Sequence, residues 1–406
     1  MNRNVTIENA VSLLLEAVTL VKKETISVSR ACGRTLADDV FAQLAMPPFN
    51  RSAYDGFALR SADTWKAKPT RPVTLPVVGT IMAGEYWPNM LSERNAVRIM
   101  TGAALPNGAD CVINFEKVKE NGKSITLPTP VAPWQNVDRK GDEVTEGALL
   151  LRGGERLTPF HVGILAAQGY TQVSVRRRPR AAILSTGCEL TEAGAPLIQG
   201  RIYDSNLAVF RAQLERDGCE ATETVRLPDD RAQICDTLQY LSCNNDLVVT
   251  TGGASAGDRD FMENALEECG ARILFAHVQM KPGSCCFGAV LNGALILSLS
   301  GNPSAALTSY FRIMIPAIRK MSGRQDIWLK ENILPLRSEY GKTCPCPRIL
   351  KGHTETENGI TRFVANKGQS NAMQSSFLHM NAFAELPPTD HGFTEGTLVR
   401  VFYPEL

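Results

Sequence analysis

Between residues 180 and 322 the chain alternates short apolar runs with amphipathic helical stretches. The strand-like runs are Ala181–Ser185, Leu247–Thr251, Arg272–Val278 and Ala294–Leu299. The helical stretches between and after them are Asn206–Arg216, Phe261–Glu268 and Pro303–Met321. Strands and helices that alternate at this spacing build crossover units, so the pattern predicts a doubly wound α/β domain with a largely parallel sheet.

The preceding part of the chain has a different pattern. Residues 45–145 contain short strand-like runs such as Val73–Val78, Ala96–Met100 and Cys111–Phe115, separated by Pro and Gly, which predicts a small β-rich domain. Apolar residues recur at helical spacing over residues 6–22, and helical character returns near Pro159–Gln168. The β-rich domain is therefore inserted between two parts of another domain.

The last 80 or so residues again hold short strand runs divided by Pro and Gly, which predicts a β-barrel-like domain. These runs are Arg362–Ala365, Ala382–Leu386 and Leu398–Phe402. The predicted organisation is multidomain α/β plus β, with a helical/β linking domain (residues 1–45 and 146–178), the inserted β-rich domain (46–145), the α/β domain (179–325) and the C-terminal β-barrel-like domain (326–406).

The charge balance argues against a nucleic-acid partner. The formal net charge is +1, whereas nucleic-acid binders usually carry a strong basic excess or a basic stripe. One basic cluster occurs, at Arg176, Arg177, Arg178 and Arg180. A solvated linker or strand edge explains it most simply, and an anion-attracting rim near a cleft is the alternative.

The cysteines and histidines do not indicate a structural metal site or a disulfide framework. The 11 cysteines include a C-x-C at Cys344 and Cys346 and the adjacent pair Cys285 and Cys286, with no second pair at zinc-site spacing. We therefore expect reduced thiols. No secretory h-region follows the first residues, and no apolar run approaches the roughly 18 residues of a membrane span, so we expect a cytoplasmic protein with no membrane partner.

Three glycine-bearing segments follow predicted strands, where open α/β sheets bind ligands. They are residues 185–189 (S-T-G-C-E), 251–258 (T-G-G-A-S-A-G-D) and 300–303 (S-G-N-P). The second segment lies between a strand and a helix, where backbone N–H groups can approach a phosphate. It is neither a dinucleotide fingerprint nor a P-loop, and a tight turn that needs glycine is an equally good explanation.

Carboxylates cluster near the same strand ends. They are Glu189, Asp229, Asp230, Asp258 and Asp260. Carboxylates with few histidines suit a hard cation such as Mg²⁺, whereas for any single Asp the simpler role is helix N-capping. Lys281, in a Lys-Pro-Gly turn, could reach an oxyanion or could be an ordinary surface lysine.

Two polar segments of the inserted domain complete the set, N-R-S-A-Y-D-G-F-A at residues 50–58 and R-I-M-T-G-A at residues 98–103. Together with five further motifs they resemble the molybdopterin molybdenumtransferase family, whose relatives include the C-terminal part of gephyrin. The further motifs are S-T-G-C-E-L, Y-D-S-N, T-G-G-A-S-A-G-D-R-D, K-P-G and S-G-N-P. The segments occur in the family's order over nearly the whole chain, and the ordered set is very specific.

The resemblance implies an elongated homodimer of four-domain subunits in which the linking domain dimerises and the α/β domain binds adenylylated molybdopterin. The implied reaction exchanges the adenylyl group for molybdate with Mg²⁺, releases AMP and leaves molybdenum on the dithiolene. The implied cleft lies between the α/β domain of one subunit and the inserted domain of the other. The implied further partners are the adenylyltransferase and recipient molybdenum enzymes.

Site residues carry over from the matching positions. The catalytic candidates are Asp55, Thr101, Glu189, Asp229, Asp260 and Lys281, of which Glu189, Asp229 and Asp260 are also the metal candidates. The substrate-binding candidates are Gly252, Gly253, Ser255, Gly257, Ser284, Gly301, Asn302, Pro303 and Lys351.

The chain departs from the family pattern where an oxyanion should bind. His277 and Ser284 stand where many members have basic residues, Lys351 stands where an arginine is usual, and Cys188 stands where Asp is usual. Lysine cannot make the bidentate fork of arginine.

These changes leave open a divergent molybdopterin-binding carrier or scaffold. A molybdopterin adenylyltransferase is a further alternative, but its simple form needs neither the inserted nor the C-terminal domain. A gephyrin-like clustering role has no obvious interaction tail to support it.

Overall fold

The computed structural model describes residues 2–253 and 261–405, without the side chain of Phe261. The chain forms two compact units, one of Met1–Asp38, Gly153–Val162 and Thr171–Leu406, the other of Asp39–Arg152 and Gly163–Tyr170. None of the described helices combines the length and the apolar character needed to cross a membrane. The predicted site residues Ser255, Gly257 and Asp260 lie outside the described residues.

The described strands of the first half of the chain are β1 (Asn2–Val5), β2 (Lys23–Ser27), β3 (Val40–Phe41), β4 (Arg51–Ser52), β5 (Gly56–Leu59), β6 (Val73–Ile81), β7 (Ala96–Ile99), β8 (Cys111–Asn114), β9 (Lys119–Glu120), β10 (Ser124–Leu127), β11 (Val137–Asp138), β12 (Leu149–Leu151) and β13 (Gln172–Arg176). Those of the second half are β14 (Arg180–Thr186), β15 (Leu190–Thr191), β16 (Ile202–Tyr203), β17 (Glu220–Leu227), β18 (Leu247–Thr251), β19 (Arg272–Val278), β20 (Cys286–Leu291), β21 (Ala294–Leu299), β22 (Lys330–Pro335), β23 (Arg348–Glu357), β24 (Ile360–Ala365), β25 (Ala382–Leu386) and β26 (Leu398–Tyr403).

The described α-helices are α1 (Ile7–Ala17), α2 (Pro159–Ala167), α3 (Ser205–Arg216), α4 (Arg231–Asn244), α5 (Phe261–Glu268), α6 (Pro303–Ser309) and α7 (Ile315–Met321). A π-helical segment, Tyr310–Met314, joins α6 to α7, so the predicted helix over residues 303–321 is continuous. Short 3₁₀ turns occur at Val28–Arg30, Ser61–Thr64, Phe115–Lys117 and Gln374–Phe377.

A seven-stranded mixed sheet organises the α/β domain, in the order β1-β19-β20-β21-β18-β14-β17. All neighbouring pairs are parallel except the two that β20 makes. Ala181 and Ile183 of β14 face one core with α1, α3 and the long helix, whereas Ala182 and Leu184 face the other with α4 and α5. Because successive side chains of a strand point to opposite faces, helices cover both sides, and the predicted doubly wound, largely parallel sheet is confirmed.

The first residues of the chain belong to this sheet. β1 pairs in parallel with β19, and α1 buries Ile7, Val11 and Leu14 in the same core as the long helix. The sequence places residues 1–45 in the linking domain, and for β1 and α1 this differs from the structure because the apolar stripe of α1 packs on the sheet. The helix ends at Ala17 rather than near residue 22, since Val18 is extended.

A six-stranded sheet, in the order β8-β5-β7-β6-β10-β9, dominates the inserted region. Phe57 and Leu59 of β5 face one apolar core, and Ala58 faces a second. This two-sided burial explains why β5 is a continuous apolar run rather than an alternating one. The β-rich character that the sequence predicts here is confirmed, and the domain boundaries stay a prediction.

The C-terminal region is a five-stranded antiparallel sheet in the order β22-β26-β25-β23-β24. Its two edges approach each other, because Leu336 forms a bridge to Phe363 and the N–H of Arg337 donates to the Phe363 carbonyl at 2.8 Å. The strands enclose a core of small and branched apolar residues that includes Leu350 and Val401. The predicted β-barrel-like form is confirmed.

A buried polar pair lies where the π-helical segment begins. Tyr310 is fully buried, and its hydroxyl donates to the carboxylate of Asp217, just after α3. Gln213 donates to the same carboxylate at 3.1 Å. Burial raises the pKa of Asp217, and the hydrogen bond from Tyr310 opposes that shift. The tyrosine hydroxyl therefore offsets the cost of burying this carboxylate.

We expect Tyr310→Phe to lower the free energy of unfolding by about 1–3 kcal/mol, because the half-buried carboxylate of Asp217 loses the donor that offsets its partial burial. Tyr240→Phe is the matched control: that hydroxyl donates to Glu223 at the surface, and its loss should change stability by less than about 0.5 kcal/mol. Thermal unfolding of the two variants measures both values. Equal effects would show that the Tyr310 hydroxyl has no such role.

Candidate functional site

The carboxyl ends of β14, β18 and β21 open into a cavity of about 700 Å³. It lies where open α/β sheets bind ligands. Its walls come from the ends of these strands and the loops after them, from β16, the start of α3, the loop after β17, the turn before β20, α6 and a loop of the C-terminal domain. The lining residues are Thr186, Gly187, Glu189, Ile202, Tyr203, Ser205, Asp229, Gly252, Gly253, Gly283, Ser284, Cys285, Ser300, Gly301, Asn302, Pro303, Ala305, Asn371, Ala372 and Gln374.

Close backbone packing explains the glycines on this wall. Gly252 has φ +93°, and a Cβ there would lie 2.0 Å from the carbonyl oxygen of Thr186 at the end of β14. A Cβ on Gly301 would lie 3.4 Å from the Cα of Gly252. The ends of three neighbouring strands thus pack backbone against backbone. A tight turn that needs glycine is therefore sufficient to explain Gly252. The same close packing leaves the main chain at the cavity surface.

The Y-D-S-N segment holds these strand ends together. The side-chain amide of Asn206 donates to Thr251 Oγ1 at 2.7 Å and to the Gly301 carbonyl at 2.9 Å. Asp204 caps α3 by accepting from the Leu207 N–H at 3.1 Å, and Tyr203 and Ser205 line the cavity. Sequence reasoning quoted this segment without a role for it. The Asp before the helix was a detectable N-cap signal.

Two of the predicted carboxylates meet at the cavity. Glu189 and Asp229 both line it and both are exposed. Asp230 instead caps α4, accepting from the Gln233 N–H at 3.1 Å, as the capping interpretation predicts. Within the described ranges, no three His, Cys, Asp or Glu side chains are grouped to hold a metal ion. The third predicted ligand, Asp260, lies outside the described residues.

The C-terminal domain contributes one wall of the cavity through the loop at residues 369–374. The Asn371 carbonyl accepts from the N–H groups of Ser304 and Ala305 at 3.1 and 3.3 Å, in the first turn of α6. Gln374 donates to Ser205 Oγ at 2.7 Å. Sequence reasoning missed Asn371, Ala372 and Gln374, because no strand, helix or motif pattern marks this loop.

Lys351 lies behind that wall rather than on it. It is fully buried, and its ammonium donates to Ser304 Oγ and to the Ser370 carbonyl at 3.3 Å. It also lies 5.5 Å from the ring centroid of Phe377. Burial lowers the pKa of Lys351 to about 8. The structure therefore places this predicted substrate-binding residue as a connection between α6 and the loop at residues 369–374.

The Lys-Pro-Gly turn is fixed by two contacts. The backbone of Lys281 donates to the Pro347 carbonyl at 2.9 Å and accepts from the Ile349 N–H at 2.8 Å. A Cβ on Gly283 would lie 2.3 Å from Ser309 Oγ, so the turn packs tightly on α6. Gly283 and Ser284 line the cavity, whereas the exposed Lys281 does not.

The cavity wall is acidic in the part of the chain that the structure describes. Glu189 and Asp229 are on it, and no Lys, Arg or His is. His277 lies apart, packed edge-on against Phe287 with ring centroids 5.1 Å apart.

The arginine cluster lies at the other end of β14, which begins at Arg180 and ends at Thr186. Arg177 makes a bidentate ion pair with Asp246 there, at 2.6 and 2.7 Å. The arginine cluster therefore does not form an anion-attracting rim at this cavity.

In the other compact unit, two residues that the sequence singles out are in direct contact. The carboxylate of Asp55 accepts from the backbone N–H and the hydroxyl of Thr101, each at 2.7 Å. These hydrogen bonds lower the pKa of Asp55. Both residues are exposed, so an ionised carboxylate stands at the surface of the inserted domain.

Known proteins share this organisation. One family model, described as MoeA N-terminal region (domain I and II), matches residues 5–169, and another, described as probable molybdopterin binding domain, matches residues 182–320. A molybdopterin molybdenumtransferase of Staphylococcus aureus (strain MSSA476) is 31% identical over 400 residues, which is 98% of this chain and 95% of the relative. The chain belongs to the molybdopterin molybdenumtransferase family. It is therefore an enzyme, a transferase.

Further known proteins match this chain over nearly its whole length. A molybdopterin molybdenumtransferase of Staphylococcus epidermidis (strain ATCC 12228 / FDA PCI 1200) is 31% identical over 402 residues, covering 99% of this chain and 96% of the relative. The crystal structure of the molybdopterin biosynthesis MoeA protein from Pyrococcus horikoshii OT3 matches with TM-score 0.85 and 29% identity, covering 99% of this chain and 100% of that one. The molybdenum cofactor biosynthesis protein from Pyrococcus furiosus, with TM-score 0.61 and 17% identity over 99% and 100% of the two chains, shares the fold.

We expect Gly252→Ala to distort the cavity, because its Cβ would collide with the Thr186 carbonyl. Gly194→Ala is a matched control: Gly194 has the same φ of +93° but no atom within 4 Å of the added Cβ. Both variants carry the backbone strain of about 1–2 kcal/mol, and only Gly252→Ala adds the collision. Thermal unfolding should show the larger loss for Gly252→Ala, and equal losses would mean that the strand ends are not tightly packed.

His353 connects β23 to the loop that reaches the cavity. Its Nδ1 lies 2.8 Å from Asn366 Oδ1 and its Nε2 lies 3.0 Å from Glu355 Oε1. Because the Asn366 amide already donates to the Ser376 carbonyl, both ring nitrogens face acceptors, and the doubly protonated ring fits best. The hydrogen bonds to Glu355 and Asn366 raise the pKa of His353.

A histidine whose folded pKa is raised stabilises the fold fully below its unfolded pKa of about 6.5, and this contribution is lost as the pH rises through the folded pKa. We therefore expect amide exchange in residues 366–377, corrected for intrinsic rates, to become faster as the pH rises above 6.5. Lys351 titrates nearby, with a pKa of about 8, so His353→Gln is the control. A pH response that persists in His353→Gln would assign the effect to another group.

Proposed function

We propose that this enzyme inserts molybdenum into adenylylated molybdopterin, releasing AMP and leaving the metal on the dithiolene. Transfer of molybdenum to molybdopterin is the activity named in its relatives. The observation that carries the finer proposal is the cavity at the ends of β14, β18 and β21. Its glycine-rich wall brings the main chain to the surface, which suits phosphate groups, and its volume is in the range of small-molecule sites.

In this proposal each wall binds one part of the substrates. Gly252, Gly253 and Ser255 hold phosphate through backbone and hydroxyl donors, assisted by Gly257. Gly301, Asn302 and Pro303 form the wall at the start of α6, where the Asn302 side chain makes no capping hydrogen bond and is left for a ligand. Ser284 and Lys281, on the turn beside α6, bind molybdate or stabilise charge as the phosphoanhydride breaks.

The residues present fit a Mg²⁺ ion. Glu189 and Asp229 offer exposed carboxylate oxygens in one cavity, the ligand type that Mg²⁺ prefers. The Thr186 hydroxyl on the same cavity wall is buried and has no hydrogen-bond partner among the described residues. We propose that Glu189, Asp229 and Asp260 hold the ion. When bound it supplies neutralisation of substrate phosphate charge, which the acidic wall itself cannot provide.

We further propose that the active form is a cytoplasmic homodimer in which Asp55 and Thr101 of one subunit complete the cavity of the other. The support is that Thr101 holds Asp55 as an ionised carboxylate at the surface of the inserted domain. The adenylyltransferase that supplies the substrate and the molybdenum enzymes that receive the product are the proposed further partners.

One observation favours a second candidate, a molybdopterin-binding carrier or scaffold. The described part of the cavity wall has no cation, and Lys351 lies behind it, so oxyanion binding has fewer positive charges than the reaction would use. The adenylyltransferase alternative has no such support, because the chain carries the inserted and C-terminal domains that this activity would not need.

The test is molybdate-dependent release of AMP from adenylylated molybdopterin by the purified protein with Mg²⁺. An active insertase releases AMP only when molybdate is present. A carrier binds the pterin and releases none at any molybdate concentration. Release of AMP without molybdate would contradict the insertion chemistry.

We expect Asp55→Asn and Glu189→Gln each to abolish turnover as homodimers, and co-expression of the two to restore about a quarter of it, since half of the dimers are mixed and each holds one intact cavity. Asp229→Asn co-expressed with Glu189→Gln is the control. Both changes lie on the α/β domain, so no dimer gains an intact cavity. Failure of the first pair to recover, with mixed dimers present, would mean that Asp55 acts within its own subunit or not at all.

A further inference from the structure

Two cysteines that the proposed function leaves unused are in contact beside the Lys-Pro-Gly turn. The Sγ atoms of Cys344 and Cys346 lie 3.6 Å apart. Cys344 is buried and Cys346 is half-buried. A disulfide needs the sulfurs at about 2 Å, so bond formation requires the two residues to move closer together.

The surroundings make the two thiols unequal. Burial opposes ionisation of Cys344, but hydrogen bonds from the backbone and thiol of Cys346, together with the charge of Arg348, lower the pKa of Cys344. Burial and the contact with Cys344 raise the pKa of Cys346 to about 11. A thiol whose pKa is lowered in contact with one whose pKa is raised is the arrangement of an attacking and a resolving cysteine.

The pair is also connected mechanically to the turn. Two backbone hydrogen bonds, at 3.1 and 2.9 Å, hold Cys344 to Thr389. Cys346 makes no such pair of backbone hydrogen bonds with the described residues. It directly precedes Pro347, whose carbonyl accepts the backbone N–H of Lys281 at 2.9 Å. Closing a bond between the sulfurs would therefore move Cys346 and Pro347 rather than Cys344, and would strain the hydrogen bond that places Lys281.

We propose that Cys344 and Cys346 form a peroxide-sensitive dithiol, whose oxidation to an intrachain disulfide displaces the turn that carries Lys281. The Cys344 thiolate attacks one oxygen of a hydroperoxide, the O–O bond breaks, and a sulfenic acid and hydroxide form. The Cys346 sulfur then attacks the Cys344 sulfur, the S–O bond breaks, and the hydroxyl group leaves as water with the Cys346 proton. Two thiols lose two electrons in total, and one hydrogen peroxide is reduced to two waters.

The effect on activity rests on the proposed function, but the disulfide and the movement of the turn do not. If Lys281 acts on molybdate or the phosphoanhydride, the oxidised enzyme releases AMP several-fold more slowly, and a dithiol reductant restores the rate. Regulation of this kind would slow cofactor assembly under oxidising conditions.

The chain allows a direct test of the bond. Cleavage after Lys342 and Arg348 releases the peptide T-C-P-C-P-R, residues 343–348, which holds both cysteines and no other. The full-length protein is treated with hydrogen peroxide, alkylated and digested with trypsin. We expect this peptide to be lighter by two hydrogen atoms and unalkylated, and to return to the alkylated form after reduction. The peptide remaining fully alkylated at peroxide doses that oxidise the exposed Cys32 and Cys243 would overturn the proposal.

Amide hydrogen exchange tests the coupling without any assay of function. We expect the Lys281 amide to exchange faster after oxidation in the wild type, and to be unaffected by peroxide in Cys346→Ser. Cys32→Ser and Cys243→Ser, which change exposed thiols elsewhere, should behave as the wild type. Unchanged exchange at Lys281 in protein shown to carry the disulfide would overturn the coupling. If reduced wild-type protein releases no AMP, the proposed function fails, while the peptide and exchange results still decide this inference.

Discussion

The cavity depends on the close approach of three strand ends. Gly252 lies against the carbonyl of Thr186, Gly301 lies against Gly252, and Asn206 bonds to the ends of β18 and β21. No side chain fits at Gly252, so this part of the wall is main chain, and a ligand that reaches it meets peptide groups. Such a surface suits phosphate, because peptide N–H groups recognise it without bringing a charge of their own. The family to which the chain belongs is consistent with this, since its members act on molybdopterin.

The C-terminal domain takes part in the same site. Through the Asn371 carbonyl it occupies the first N–H groups of α6, and through Lys351 it fixes that contact from behind. A carbonyl at a helix start satisfies donors that an anion would otherwise attract. The loop at residues 369–374 therefore occupies donors at the start of α6 that a ligand could otherwise use. Among the described residues, the buried ammonium of Lys351 has neutral partners, two oxygens and the ring of Phe377.

Charge is distributed unevenly around the site. The described part of the wall carries Glu189 and Asp229, whereas Lys281 stands on the adjoining turn and Lys351 lies beneath. Substrates that are themselves anions would be repelled by such a wall unless a cation intervened. The acidic wall and the proposed Mg²⁺ are therefore parts of one explanation. In our proposal the thiol pair affects Lys281, an exposed cation on the turn that adjoins this wall.

The amino-acid sequence alone determines the local elements and the order of the chemistry-bearing segments. Apolar runs such as Leu247–Thr251 and Ala294–Leu299 are strands with the predicted bounds, because a strand buried on both faces needs an unbroken apolar run. The ordered motifs predicted the family because each motif is a short, continuous stretch that can be read directly from the sequence. Tertiary structure alone decided which of these segments meet. It placed β1 in the α/β sheet and packed α1 against that sheet. It also brought Asn371 and Gln374 to the cavity and put Lys351 behind the wall instead of on it. Such contacts join residues far apart in the chain, and what selects them is packing between whole elements, which leaves no periodic pattern in the sequence.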